Sequence, residues 1–272
     1  MARHTILGVH ITDRLKRVQE VQKVFTKYEC LVKTRLGRIA MKREEYAEAI
    51  THFLDAHELK RDGPRERFDL AEALIANRWF PQAIAHLETL TVAYPDSVVF
   101  WKRLGYARNN GNRYVPAIAA YERALALEPR NEENLRNLVS ALLNRGAELQ
   151  DANRLEDARA MYDRVIETYP RDWRAFNNLA TIEMKLGRMK EARALLDRAL
   201  ADYPYESSIH FNLGIVLEKL GDKKGALREM RLAHELNPVY SAAPVHIGRL
   251  EQELGIDRPA EPDSQRSPIE SP

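Results

Sequence analysis

Three asparagines, Asn137, Asn178 and Asn212, stand 41 and 34 residues apart. A primary amide donates through its NH2 group and accepts through its oxygen, so one asparagine can match both polar groups of a peptide bond. A row of them would hold an extended backbone with little demand on its side chains. Catalytic chemistry has no comparable foothold. No Gly-rich loop ends in Lys-Ser/Thr, and no Gly-x-Ser-x-Gly elbow occurs. The 8 histidines include no His-Glu-x-x-His pair. His52 and His57 lie five apart with Asp55 between them, so they leave one helix face and make poor joint metal ligands. The many carboxylates sit among Lys and Arg, as solvated pairs on helix faces do. No enzyme activity, metal or cofactor is expected.

The charge balance points the same way. Lys and Arg number 42 against 40 Asp and Glu, a formal charge of +2, without the strong basic excess of a nucleic-acid binder. Cys30 is the single cysteine, so no internal disulfide forms, and the expected role is a small buried side chain. No stretch approaches the roughly 20 apolar residues of a membrane helix, and Met1 to Asp13 lacks the apolar core of a signal peptide. The expected address is the cytoplasm, with neither nucleic acid nor membrane as partner.

The elements that must carry these side chains are set by a repeat. Pro95, Pro129, Pro170, Pro204 and Pro238 follow one another at 34, 41, 34 and 34 residues. Ala49, Ala83, Ala117, Ala158, Ala192 and Ala226 keep the same step, each followed four residues on by Phe53, Leu87, Tyr121, Tyr162, Leu196 or Met230. Upstream, Leu36, Leu70, Leu104, Leu138, Leu179 and Leu213 recur, mostly followed by Gly or Ala. The apolar spacing is helical. Small residues such as Gly105 and Ala117 let two helix axes approach, bulky Trp101 and Tyr121 fill the space beside them, and proline ends the second helix. Leu138 to Ala158 spans 20 positions where the other copies span 13, so the fourth copy holds seven extra residues. Seven residues make two helical turns, expected as about one extra turn in each helix, with a polar loop around Asn144 to Arg154 as the alternative.

The pattern resembles the tetratricopeptide repeat, with Trp101, Leu104, Gly105, Ala117, Tyr121, Ala124 and Pro129 at the family's spacing. Six copies are read, at 30–63, 64–97, 98–131, 132–172, 173–206 and 207–240. The resemblance implies an all-α, right-handed solenoid of about six helix pairs. A capping helix is expected over 241–256, with Val245, Ile247, Leu250 and Leu254 inward and Arg249, Glu251 and Glu253 outward. Residues 257–272, with four prolines, read as a disordered tail.

In the family, the concave groove is lined mostly by the first helix of each pair, at the second, fifth, sixth, ninth, twelfth and thirteenth places. Carried over with the sixth place left aside, these places give Lys102, Arg136, Arg174, Lys185 and Lys219, with Arg38, Lys42 and Arg65, against only Glu72, Glu133 and Glu218. Asn137, Asn178 and Asn212 take the sixth place, like the asparagine ladders of O-linked sugar transferase repeats. A carboxylate clamp for chaperone tails is not supported, since its places hold Thr34, Arg38, Glu72, Lys102 and Tyr106.

The N-terminus, 1–29, reads as a strand at Thr5 to Thr12 and an amphipathic helix at Asp13 to Tyr28, with Leu15, Val18, Val21, Phe25 and Tyr28 on one face. His4 to His10 and Lys33 to Gly37 are similar to the first half of small ACT-like bacterial regulators. That resemblance makes Leu31 to Leu36 a strand, whereas the repeat register makes it helix, which Tyr46, Ala49, Phe53 and Ala56 need as a partner. The expected function is a scaffold or adaptor binding an extended, acidic protein or peptide segment in the groove. The alternatives are a ligand-sensing regulator using the ACT-like segment, and an accessory subunit of a modifying enzyme.

Overall fold

The period resolves into helix pairs. The computed structural model describes residues 2–58, 63–239 and 242–256. Within them lie α1 (Ala2–Lys42), α2 (Tyr46–Glu58), α3 (Pro64–Ala76), α4 (Phe80–Ala93), α5 (Val98–Asn110), α6 (Tyr114–Leu127), α7 (Glu132–Asp151), α8 (Leu155–Thr168), α9 (Trp173–Lys185), α10 (Met189–Asp202), α11 (Ser207–Lys219), α12 (Lys223–Leu236) and α13 (Ala242–Glu253). No strand occurs among the described residues. The predicted tail at 257–272 lies outside them, as do the side chains of Leu15, Val21 and Tyr28. The chain divides into two compact units, Met1–Ala141 and Leu142–Pro272.

Each pair is built alike. Where a large residue of the even-numbered helix meets the odd-numbered one, only a small side chain fits. A Cβ added to Gly105 would lie 2.7 Å from the buried ring of Tyr121, and Gly146 faces Tyr162 in the same way. Every pair turns on the same device. The odd-numbered helix closes with a backbone N–H reaching five residues back, as in Trp79 to Leu74, Arg154 to Leu149 and Arg188 to Glu183. The residue before that donor is left-handed: Glu44, Arg78, Asn112 and Asn153 at φ 56–62°, then Gly187 and Gly221. This is the Schellman closure, which favours glycine because a Cβ is strained there. Glu44 is exposed and has no ion pair among the described residues. Glu44→Gly should therefore stabilise the protein by about 1 kcal/mol, read as a raised midpoint in urea.

Three expectations need correction. First, Thr5 to Thr12 is not a strand, because Ala2–Lys42 is one helix of 41 residues. A lone strand leaves its backbone groups without partners, whereas a helix satisfies them internally. The ACT-like half-domain is therefore absent, and Leu31 to Leu36 is helical. Second, the seven extra residues are not shared between two helices or looped out. They all lie in α7, which has 20 residues against 13 in α3, α5, α9 and α11, while α8 keeps the usual 14. Two whole turns in one helix bring its buried face back to within about 20°, so the turn at Asn153 need not change. Third, in α13 Val245 is exposed, whereas Glu251 is turned inward and accepts from Arg231 at 2.9 Å.

Candidate functional site: the odd-numbered helices

In the first unit, charges on successive odd-numbered helices pair at a sequence separation of 31. Arg38 donates to Asp69 at 2.7 Å, Lys102 to Glu133 at 2.9 Å, and Arg103 grips Glu72 with two N–H groups. The side chains at Asp69 and Arg103, the places equivalent to the asparagines, are thus consumed in joining neighbouring helices. Around them lies a hollow of about 570 Å³ lined by Met41, Glu72, Ile75, Phe80, Arg103 and Tyr106. Its one acid, Glu72, is paired with Arg103, and Arg78 also lines it.

In the second unit the same wall is built from amides. α9 and α11 are neighbours. The Asn212 side-chain NH2 donates to the Asn177 side-chain oxygen at 2.8 Å. That bond leaves the Asn177 NH2 group, the second lone pair of the Asn177 oxygen and both lone pairs of the Asn212 oxygen for another molecule. Asn178 is half-buried and its side chain has no hydrogen bond among the described residues. The pairing at 31 returns once here, where Arg249 donates to both oxygens of Glu218 at 2.7 and 2.8 Å. The Arg249 hydrogen bonds hold the Glu218 carboxyl below the usual carboxylate range.

The predicted site residues fall in both units. Asn137, Arg136 and Lys102 belong to the first unit, while Asn178, Asn212, Arg174, Lys185 and Lys219 belong to the second. Three of the five cations are engaged within the protein: Lys102 with Glu133, Arg136 with Glu132 at 3.7 Å, and Arg174 with Asp172 at 2.5 Å. Lys185 and Lys219 are exposed, with no partner among the described residues. Two residues were missed. Asn177 carries the amide pair. Asn144 lies 18 residues before Tyr162, as Asn178 lies 18 before Leu196 and Asn212 18 before Met230. Counting back from the following helix, across the longer α7, would have found it.

The second unit also holds a hollow of about 640 Å³ among α8, α9 and α10, around Glu183. That carboxylate is buried and paired with Arg159 at 3.0 Å and Arg188 at 3.3 Å. Two guanidiniums on one carboxylate make a structural tie rather than a proton donor or acceptor. Among the described residues, no group of His, Cys, Asp and Glu is placed to hold a metal ion.

The tetratricopeptide-repeat family model matches residues 68–132, 143–207 and 192–240, more than half of the chain. The chain belongs to the tetratricopeptide-repeat family. The match breaks between 132 and 143, where α7 carries its extra turns. The peroxisomal targeting signal receptor of Kluyveromyces lactis is 32% identical over 124 residues, 45% of this chain and 22% of the receptor. The chain thus spans about a fifth of the receptor's length. Among solved structures, Pseudomonas aeruginosa pilF matches with a TM-score of 0.50 at 18% identity, over 71% of this chain and 85% of that one. The MamA RS-1 ArsTM double mutant matches with a TM-score of 0.50 at 18% identity, over 66% of this chain and 98% of that one. These likenesses are of fold. The protein-interaction role follows from membership of the tetratricopeptide-repeat family.

Proposed function

We propose that this repeat protein is an adaptor that holds an extended peptide segment along the odd-numbered helices of its second unit. The observation that carries the reading is the amide wall of Asn177, Asn178 and Asn212, where donors and acceptors remain available in the pattern a peptide bond requires. Asn144 extends that row by register. The first unit spends Asp69 and Arg103, at equivalent places, on ion pairs, which favours the second unit for backbone recognition. Acidic character in the ligand rests on Lys185 and Lys219, because Arg174 is already neutralised by Asp172. A segment-reading groove fits the likeness to a receptor for a targeting signal. The proposal assigns the chain no chemical step and places it in the cytoplasm. Among the described residues, no helix is long and apolar enough to cross a membrane.

Peptides selected from a random displayed library on the wild-type protein test this. Asn178→Ala and Asn212→Ala should each weaken binding about tenfold, the worth of one hydrogen bond to a peptide group. N-methylation of a single ligand amide should cost more than alanine at the same ligand position. Equal affinity in wild type and both variants would sink the proposal.

A further inference from the structure

The first helix exposes a surface that the other odd-numbered helices bury. At the 34-residue step, Leu36 and Ile39 correspond to Leu70 and Ala73, then Leu104 and Ala107, all at most 1% exposed. The same places in α9 and α11, with one place further upstream, are Ala175, Leu179 and Ile182, then Ile209, Leu213 and Val216, all buried. In α1, Val32, Leu36 and Ile39 are 54%, 39% and 40% exposed. No element among the described residues covers them.

The uncovered surface continues up the helix. Val18, Phe25, Val32 and Ile39 stand seven residues apart, and Val18 and Phe25 are 54% and 70% exposed. Apolar residues every seven positions over about 31 Å, with Val21, Tyr28 and Leu36 three or four places on in the sequence, give the heptad period of a coiled-coil seam, which buries itself against another helix of the same period. Between Val18 and Glu29 the charges are Glu20, Lys23, Lys27 and Glu29. They cancel, and further along the seam Lys33 is paired with Asp55 and Arg38 with Asp69, so only Arg35 adds an unbalanced charge between two copies.

Among the described residues, α13 offers no apolar stripe to match the seam. α13 exposes Arg249, Gln252 and Glu253, with Val245 its one exposed large apolar residue. Head-to-tail stacking would therefore bury the seam against charge. Only a like surface matches it, and a self-matching patch closes as a two-fold pair rather than a filament.

We infer that α1 is a homodimerisation helix, and that two copies of the chain associate through the Val18, Phe25, Val32 and Ile39 seam with Leu36 beside it. Sedimentation of the full chain between about 1 and 100 µM tests this, in the range where a standard interface forms. The mass should rise from 31.3 kDa to about twice that value. Phe25→Glu and Val32→Glu should each raise the dimer dissociation constant at least a hundredfold. Val239→Glu, at an exposed residue that is not part of the seam, should leave it unchanged. The side chains replaced are exposed, so thermal melting reports whether folding is kept. If either glutamate lowers the melting temperature, Phe25→Ala is read instead, with at least a tenfold rise expected. A wild-type monomer at 100 µM, or a dimer that persists in the seam variants, overturns the inference.

Discussion

Gly146→Val should lower the melting temperature by roughly 10 °C, corresponding to about 3 kcal/mol, the upper range for overpacking a filled core. Gly146 lies against the edge of the Tyr162 ring, close enough that even one methyl group at its Cβ overlaps it. The ring cannot step aside readily. Tyr162 is 1% exposed, and burial pushes its hydroxyl pKa up to about 12. Gly105→Val, against Tyr121, should cost a similar amount. Ala147→Val, one residue on and exposed, should change little. Melts followed by circular dichroism separate the three. A Gly146→Val protein as stable as Ala147→Val would mean that α7 does not pair with α8 in this register.

That register shows what could and could not be read from residues alone. The prolines, alanines and leucines were legible because helix packing repeats the same contact at every step of 34. The count of seven extra residues in the fourth copy was legible too, but not where they lie. Seven residues preserve helical phase wherever they are inserted, so periodicity carries no signal that distinguishes α7 from α8. Hence Asn137 was aligned with Asn178 and Asn212, although Asn144 holds the matching distance to its own partner helix.

The charge reading failed for another reason. A search at 34 aligns equivalent residues, but neighbouring helices touch through non-equivalent ones, offset to 31. Arg38, Glu72, Lys102 and Glu133 were therefore read as separate groove charges, although Arg38 is paired with Asp69, Glu72 with Arg103 and Lys102 with Glu133. At the N-terminus, Ile6, Leu7, Val9 and Ile11 favour a strand by residue type. Local preference yielded because no second strand is present among the described residues to accept the pairing, while the helix already begun at Cys30 extends through them.

His210 should make stability depend on pH in a way its variants do not. Its ring is buried between two acceptors, with Nδ1 2.7 Å from a Glu229 carboxylate oxygen and Nε2 2.9 Å from the Pro204 carbonyl. Trp101 occupies the corresponding place in its own pair, and its indole N–H donates to the Pro95 carbonyl at 2.7 Å. The shared role assigns a proton to Nε2 of His210, and the carboxylate favours a second on Nδ1. The hydrogen bond to Glu229 raises the pKa above the ordinary histidine value. Burial opposes that shift and the Pro204 carbonyl assists it. A raised folded-state pKa contributes stability that is fully present below about pH 6.5, the unfolded value, and is lost as pH rises through the folded one. His210→Leu strands both acceptors and should cost about 3 kcal/mol at pH 6, in line with losing one charge-assisted and one neutral hydrogen bond. The gap between wild type and His210→Leu should narrow by pH 9. His210→Gln, which keeps one donor and does not titrate, should lie between them at pH 6 and show no such narrowing against His210→Leu. Melting temperatures of the three proteins between pH 5.5 and 9 decide it. A wild-type advantage of constant size across that range would show that His210 is held there as a neutral ring, and that Glu229 does not draw a second proton onto it.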